Sequence, residues 1–153
     1  MTKISLRKVT EENFIKVIKL SNSLTDYQKN CVASNSISLA EAYVNKKKAW
    51  PRAIYLDNEP IGFIMLALFD DDISKEDLPA YYIWRFMVSK DHQKKGYGTL
   101  ALDIIKEKCI KDKVKSLYVS CEMDGEQPYN FYIKYGFIDT GINDGEQILK
   151  MYL

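Results

Sequence analysis

The chain has 153 residues, of which 46% are hydrophobic and 28% are charged, with a formal net charge of +1. This length predicts one domain over residues 1–153, and the charge excludes a nucleic-acid binder that relies on overall basicity. Three cysteines without a CxxC pair and one histidine are too few for a zinc site, so no metal is expected. Without a signal peptide or a long apolar segment, a cytoplasmic protein with no membrane partner is expected.

The first third of the chain predicts one strand and two helices. Residues 3–9 alternate between apolar and polar side chains, which indicates a strand. Thr10 is expected to cap a helix that has two glutamates in its first turn. After a polar, turn-rich region, Ser38 is expected to cap a second, short helix, with Glu41 completing a capping box.

The middle of the chain has sheet character. Residues 53–56 and 61–69 are mostly apolar and flank DNEP, a turn by composition. An acidic loop over residues 70–78 follows. The aromatic and β-branched residues 81–88 predict a further strand.

The last third alternates helices and strands. Apolar residues recur at helical spacing from residue 96 or 97 to residue 110, and residues 116–121 predict a strand. Pro128 is expected to begin a helix, where its missing N–H costs nothing. A final hairpin pairs residues 137–140 with residues 147–152. The order of elements predicts an α+β (mixed α/β) domain built on one twisted sheet.

The sequence QKKGYG, residues 93–98, stands between a predicted strand and a predicted helix. A dinucleotide-binding loop needs GxGxxG after the first strand of a βαβ unit, whereas Ala101 replaces the third glycine here and the motif follows about the fourth strand. A Walker loop is excluded because neither GKS nor GKT occurs. A solvated loop and a pyrophosphate-binding loop remain as interpretations.

A pyrophosphate-binding loop would use the free N–H groups and the positive dipole end of the following helix. Gly96 and Gly98 would let the backbone approach the ligand without a Cβ in the way. Lys94 and Lys95 would add positive charge, and Thr99 could add a hydroxyl. The alternative is that both lysines simply face water.

Two motifs in this order resemble the GNAT superfamily of acetyl-CoA-dependent N-acetyltransferases. Residues 85–88 lead into QKKGYG, and FYIKYGF follows at residues 131–137. The resemblance covers nearly the whole chain, and it is most similar to bacterial spermine/spermidine (diamine) acetyltransferases. It implies a central twisted, mostly antiparallel sheet of about six or seven strands with about four flanking helices. It also implies that the fourth and fifth strands splay apart.

The resemblance implies that acetyl-CoA is the co-substrate and that it lies between these two strands. Backbone at the end of the fourth strand would pair with the pantetheine arm, backbone of residues 118–120 would form the other wall, and the pyrophosphate would bind the amides of residues 94–99. The expected contacts with acetyl-CoA are Phe86, Met87, Val88, Gln93, Lys94, Lys95, Gly96, Tyr97, Gly98, Thr99, Ser120 and Tyr132.

The resemblance also implies catalytic roles. Tyr132 matches the tyrosine beside the cofactor sulfur and would act as the general acid that protonates the leaving thiolate. The backbone N–H of Val88 or a neighbour would polarise the thioester carbonyl. Cys121 lies near the expected site but lacks a histidine partner, so a covalent cysteine intermediate is not expected.

The chain departs from the polyamine acetyltransferases at two positions. Trp84 stands where they often carry a glutamate that helps to deprotonate the amine, and Gly125 stands where they commonly have an asparagine. The general base is therefore open. The candidates are Glu122, Glu126, or a chain of water molecules to bulk solvent.

The acceptor is expected to be a small primary amine, with a polyamine preferred. The carboxylates of Asp70, Asp71 and Asp72 could attract a polycation, and aromatic faces such as those of Tyr27 and Trp84 could hold an amine cation. Tyr43 and Trp50 are further aromatic candidates. The alternatives are a protein or peptide amine, an aminoglycoside-type acceptor, or a regulatory module that binds CoA without turnover. Dimers are common in the family, so a homodimer is one expected assembly.

Overall fold

The computed structural model describes residues 3–68, 74–122 and 128–153. The strands are β1 (Ile4–Arg7), β2 (Ala49–Leu56), β3 (Glu59–Ala67), β4 (Ala80–Val88), β5 (Ser116–Cys121), β6 (Ile138–Asn143) and β7 (Glu146–Tyr152). They form one sheet in the order β1-β2-β3-β4-β5-β7-β6. Neighbouring strands are antiparallel except for the parallel pair β4 and β5. The predicted α+β class and the mostly antiparallel sheet are confirmed.

The α-helices of the described residues are α1 (Phe14–Leu20), α2 (Asp26–Cys31), α3 (Asn35–Val44), α4 (Tyr97–Lys111) and α5 (Tyr129–Tyr135). The helix α2 lies in the region predicted to be turn-rich. Thr25 caps it: the Thr25 hydroxyl accepts from the Gln28 N–H, and the Gln28 side chain accepts from the Thr25 N–H. This capping box stabilises a helix that its polar composition does not indicate.

Two predicted helix starts were wrong. The helix α1 begins at Phe14, because the N–H groups of Asn13 and Phe14 first close a turn onto the Thr10 carbonyl. The helix α3 is capped by Ser34, whose hydroxyl accepts from the N–H of Ile37. Ser38 lies inside this helix and donates its hydroxyl to the Ser34 carbonyl at 3.0 Å, so the earlier serine takes the capping role.

Helices cover both faces of the sheet. On the face covered by α4 and α5, buried side chains such as Ile105 pack against Ile64 and Leu117. On the face covered by α1 and α3, Val17 packs in a second cluster with Phe63. The ends of β4 and β5, in the middle of this sheet, therefore lie between two apolar layers.

A β-bulge interrupts β4 where it leaves β5. Met65 of β3 pairs with Arg85 and Leu66 pairs with Ile83, so Trp84 is an extra residue in the ladder. The parallel pairing of β4 with β5 ends at Ile83. From the bulge onward the two strands separate, which confirms the predicted splay.

The segment before β4 is fixed by a buried carboxylate. Asp77 is buried, and it accepts hydrogen bonds from the Tyr118 hydroxyl and, at 3.0 Å, from the Lys150 ammonium. Its backbone carbonyl accepts from the Ser116 hydroxyl at 2.7 Å. The carboxylate therefore joins the segment to β5 and β7. Residues 69–73, with most of the predicted acidic loop's aspartates, lie outside the described residues.

No helix within residues 3–68, 74–122 and 128–153 combines the length and the apolar character needed to cross a membrane.

Candidate active site

A cleft of about 1150 Å³ opens where β4 and β5 separate. Its walls come from the second half of β4, the end of β5, the loop before α4, and the helices α2 and α5. The predicted site residues that line it are Tyr27, Trp84, Phe86, Met87, Val88, Gln93, Lys94, Gly96, Gly98, Thr99, Ser120, Glu122 and Tyr132. The structure therefore brings together residues that are far apart in the sequence.

The β4 wall directs backbone N–H groups toward the cleft. The Ser89 N–H donates to the Ile61 carbonyl at 2.7 Å, and Val88 is the register partner of Gly62. Because hydrogen-bonded pairs alternate in an antiparallel ladder, the N–H groups of Phe86 and Val88 point away from β3. They face the gap that β5 would otherwise fill.

The loop of residues 93–98, called here the glycine loop, closes one end of the cleft. Lys94 and Gly96 have positive φ angles of 61° and 86°, whereas Lys95 between them does not. Alternating signs of φ turn successive N–H groups toward one side, which suits an anion. Gly96 is the N-cap of α4, whose first turn carries no acidic side chain and no side-chain cap. The free N–H groups and dipole of α4 are thus available to a negatively charged ligand.

Close packing explains why residue 98 of the loop is a glycine. A Cβ on Gly98 would lie 3.3 Å from the Phe131 ring and 3.7 Å from the Phe86 ring. Lys95 and Tyr97 are not among the residues that line the cleft, and their contacts with acetyl-CoA stay a prediction. Tyr97 instead packs beside His92, with ring centroids 6.3 Å apart, and against the core.

Tyr132 of α5 is 4% exposed and lies between the rings of Phe131 and Phe137, at centroid distances of 5.4 and 5.5 Å. Burial raises the pKa of its hydroxyl above the ordinary value, and the nearby Cys121 and Tyr82 raise the pKa further. The hydroxyl therefore keeps its proton at neutral pH. None of the hydrogen bonds among the described residues uses it. It is a protonated donor in an apolar wall.

Cys121 also lines the cleft, but its thiol is a poor nucleophile. Burial, followed by the charges of Glu146 and Asp139, raises the pKa of the thiol to about 11. The only histidine of the chain, His92, is engaged at 2.7 Å with the Ser89 hydroxyl. A thiolate is the reactive form of cysteine, so covalent catalysis by Cys121 is disfavoured.

Carboxylates lie at the β5 end of the cleft. Glu122 follows β5 directly and Glu146 begins the neighbouring β7, and both line the cleft with exposed side chains. Cys121 is paired with Gln147 in the antiparallel ladder, so Glu122 and Glu146 occupy facing ends of the two strands. Either can attract a cation or accept a proton. The other predicted base, Glu126, lies outside the described residues.

The opposite half of the cleft is lined by α2 and the bulge. Tyr27 and Trp84 lie here together with Arg85, which sequence analysis did not single out. The Arg85 guanidinium is held by Glu41 at 2.8 Å and by the Trp84 carbonyl at 3.0 Å, so its charge is largely neutralised. Asp70, Asp71 and Asp72 lie outside the described residues, and Tyr43 and Trp50 do not line this cleft.

A second residue that the sequence analysis missed is Gln28. Its amide Nε2 donates to Oε1 of Gln93 at 3.0 Å, and Nε2 of Gln93 donates to the Val88 carbonyl at 2.8 Å. The Gln93 side chain is therefore engaged inside the protein. The pattern T-x-x-Q at residues 25–28 is the signal that could have revealed α2, although not its partner 65 positions away.

The described ranges contain no group of three or more metal-binding side chains close enough to hold an ion. The site instead offers backbone N–H groups, a glycine loop, a neutral tyrosine and carboxylates. These groups fit a ligand with a phosphate-bearing arm that lies between β4 and β5, and an amine that approaches from the carboxylate side.

Comparisons with known proteins agree with this geometry. The model of the Acetyltransferase (GNAT) family matches residues 21–137. A probable spermine N(1)-acetyltransferase from Bacillus subtilis subsp. natto (strain BEST195) is 26% identical, over 95% of this chain and 96% of the relative.

Among solved structures, the PaiA N-acetyltransferase of Thermoplasma acidophilum in complex with coenzyme A superposes with a TM-score of 0.74, at 16% identity over 99% of both chains. An aminoglycoside acetyltransferase in complex with coenzyme A gives a TM-score of 0.77, at 18% identity over 98% of this chain and 95% of the other. At these identities the likeness shows a shared fold.

Proposed function

The chain belongs to the GNAT family of acetyltransferases, and from that premise we propose that it acetylates a small primary amine, with a polyamine such as spermidine or spermine as the acceptor. Acetyl-CoA is the acetyl donor, and the reaction is an N-acetylation. The observation that carries the proposal is the cleft between β4 and β5, which joins an anion-binding end, a protonated tyrosine and a carboxylate end.

The glycine loop suits the pyrophosphate of acetyl-CoA. Free N–H groups at the start of α4, the positive end of its dipole and the Lys94 side chain all favour negative charge there. The N–H groups of Phe86 and Val88 suit the amide groups of the pantetheine arm, because an extended ligand can pair with an open strand edge. Gln93 would support cofactor binding by fixing the position of the loop, because its side chain binds Gln28 and the Val88 carbonyl.

The proposed transfer needs a donor and an acceptor of protons. Acetyl-CoA supplies an acetyl thioester, whose carbonyl carbon the neutral amine attacks. The N–H of Val88 would polarise the carbonyl oxygen. Tyr132 would donate its proton to the sulfur as the carbon–sulfur bond breaks, and Glu122 would accept the proton that the amine loses. Tyr132 has a proton to give, because a tyrosine hydroxyl is protonated at neutral pH and burial raises its pKa further.

The polyamine acceptor is supported by two observations. The Bacillus relative has a name that includes spermine. In this chain, Glu122 and Glu146 provide negative charge at the cleft, while the charge of Arg85 is neutralised by Glu41. The fold similarity to an aminoglycoside acetyltransferase favours a second candidate acceptor, a polyamine-like aminoglycoside, which carries several amines on a larger frame.

A screen of acetyl-CoA consumption tests the proposal. Purified protein is mixed with acetyl-CoA and, separately, with spermidine, spermine, amino acids, aminoglycosides and short peptides, and free CoA thiol is measured. We expect the polyamines to give the highest kcat/KM. A higher kcat/KM for aminoglycosides or for peptides would identify that class, and not the polyamines, as the acceptor. Binding of CoA without transfer to any amine would reject small-amine acetylation altogether.

A further inference from the structure

We propose that Gln28 is a positioning residue that couples the acceptor side of the cleft to the cofactor side. Through Gln93 it holds α2, whose Tyr27 lines the cleft across from the carboxylates where the amine would bind, in register with the glycine loop and the end of β4. Binding of CoA and binding of the acceptor should therefore favour each other. The acceptor part of this inference rests on the proposed function, whereas the link between α2 and the glycine loop does not.

The link contains a directional chain of three hydrogen bonds and a longer fourth one, which Nε2 of Gln93 donates to Oε1 of Gln28 at 3.4 Å. The Thr25 N–H donates to Oε1 of Gln28 at 3.2 Å, Nε2 of Gln28 donates to Oε1 of Gln93 at 3.0 Å, and Nε2 of Gln93 donates to the Val88 carbonyl at 2.8 Å. The chain begins at a group that can only donate and ends at a group that can only accept. Both amide orientations are therefore determined, since turning either amide over would place like groups together.

The α2 helix depends on such links. It has six residues, and none of them is buried. A segment with little buried apolar surface opens at low cost. Leu24 is buried just before it, and the Ser23 hydroxyl accepts from the Lys90 N–H at 3.1 Å, which is a second contact with the segment that follows β4. The bonds of Gln28 and Ser23 thus tie α2 to the cofactor side of the cleft.

The end of β4 depends on the same chain. In a continuous sheet, the Val88 carbonyl would accept from a neighbouring strand, but β5 has separated by this point. The Gln93 amide takes the place of that strand. Any ligand that fixes the glycine loop therefore fixes Gln93, then Gln28, and finally the helix that carries Tyr27 into the cleft. By thermodynamic reciprocity, a ligand that fixes α2 must strengthen binding at the loop to the same extent.

Gln28→Glu weakens the link while keeping the helix cap. A glutamate at this position still accepts from the Thr25 N–H, as in a T-x-x-E capping box. It has no N–H to donate, so the 3.0 Å bond to Oε1 of Gln93 is lost and two acceptor oxygens face each other, and only the longer bond from Nε2 of Gln93, at 3.4 Å, can remain. The double variant Gln28→Glu/Gln93→Arg should restore the link, because a guanidinium can donate both to the glutamate and to the Val88 carbonyl.

Hydrogen exchange of residues 24–33, measured with and without CoA, is the first test. In the wild type we expect CoA to slow exchange in this segment. In Gln28→Glu the protection should be clearly reduced, and in the double variant it should return. Equal protection in the wild type and Gln28→Glu, or no protection in the wild type, would overturn the proposal. This readout needs no acceptor, so it stands even if no amine is acetylated.

Steady-state kinetics with the best amine of the screen is the second test. We expect Gln28→Glu to raise the KM of the acceptor about fivefold or more, the lower range of typical coupling between sites, with kcat at saturation nearly unchanged. A merely structural defect would lower kcat and the melting temperature, and the double variant would not repair it. An unchanged KM would also contradict the proposal.

Discussion

Tyr132 combines burial with a hydroxyl that no described hydrogen bond engages. Tyr132→Phe should therefore lower kcat by about a hundredfold or more, in the range of general acid catalysis, without weakening CoA binding. The melting temperature should change little, because no hydrogen bond within the described residues is lost. Steady-state kinetics and calorimetric CoA titration check both statements.

The matched control is Tyr129→Phe on the same helix. The Tyr129 hydroxyl donates to Asp139 at 2.8 Å, and this residue does not line the cleft. Its removal should leave kcat close to the wild-type value. An equal loss of rate in both variants would mean that α5 is only structurally sensitive and that Tyr132 is not the acid.

Glu122 is the described carboxylate closest in sequence to the β5 wall, and it lines the cleft. If Glu122 accepts the proton of the amine, Glu122→Gln should lower kcat about a hundredfold at neutral pH. The loss should be smaller at alkaline pH, because more of the amine is already neutral there. The pH dependence of kcat/KM measures this. Glu107→Gln, on the exposed side of α4, is the control. A uniform loss at all pH values would assign the base to another group or to water.

At the scale of elements, we expect the start of α4 to bind anions through its backbone more than through lysine side chains. Gly96 has φ of 86°, a conformation that costs other residues roughly 1–2 kcal/mol, although no atom lies within 4 Å of an added Cβ. Gly96→Val should therefore weaken CoA binding by backbone rearrangement about tenfold or more. Lys94→Ala keeps the conformation of the loop and should weaken CoA binding less than Gly96→Val does.

Isothermal titration with CoA compares these variants, with Lys95→Ala as the control whose side chain does not line the cleft. Raising the salt concentration should reduce the difference between Lys94→Ala and the wild type, because salt screens an exposed charge. A larger loss in Lys94→Ala than in Gly96→Val would show that the lysine charge dominates.

The elements that sequence analysis predicted are those with strong local signals. Alternating, apolar or aromatic runs indicated β1 to β5, and the helical period of residues 97–110 indicated α4. The last two strands were predicted as a hairpin. The helix α2 was missed because it is short, polar and half exposed, so only its capping box marks it. Ser34 and Ser38 are both good caps by composition, and only the hydrogen-bond geometry distinguishes them.

The same difference between local patterns and tertiary contacts decides which residues of the candidate site could be predicted. Motif residues such as Gly96, Gly98 and Tyr132 could be predicted because they are close to one another in short patterns. Gln28 and Glu146 could not, because their place in the cleft follows from a contact across 65 residues and from strand register. Sequence patterns carry no information on such tertiary neighbours.

At the scale of the whole molecule, Asp77 connects the segment before β4 to β5 and β7. The Tyr118 hydroxyl and then Lys150 lower the pKa of its carboxyl below the ordinary value. The pKa of Lys150 is raised by Tyr152 and then by Asp77. Because the pKa of the Asp77 carboxyl is lower in the folded state, this group stabilises the fold at pH values above its unfolded pKa of about 4. This contribution is lost as the pH falls through the folded pKa.

Asp77→Asn should lower the free energy of unfolding at pH 7 by about 1–3 kcal/mol, because Lys150 and Tyr118 lose a charged partner. The variant should also lose less stability than the wild type between pH 5 and pH 3. Urea denaturation across this range measures both effects. Glu76→Gln, an exposed neighbour, is the control. Parallel pH curves for Asp77→Asn and the wild type would exclude this role.

The extra residue at Trp84 has a consequence for how such a protein can arise. Without it, Ile83 and Arg85 would be consecutive, the ladder with β3 would be regular, and β4 could continue to pair with β5. Phe86 would then stand opposite Cys121, the last residue of β5, and the gap between the two strands would close over this length. One extra residue thus keeps this seam of the sheet open for a ligand. A chain that lacks only residue 84 should keep its sheet by circular dichroism and fail to bind to a CoA affinity column.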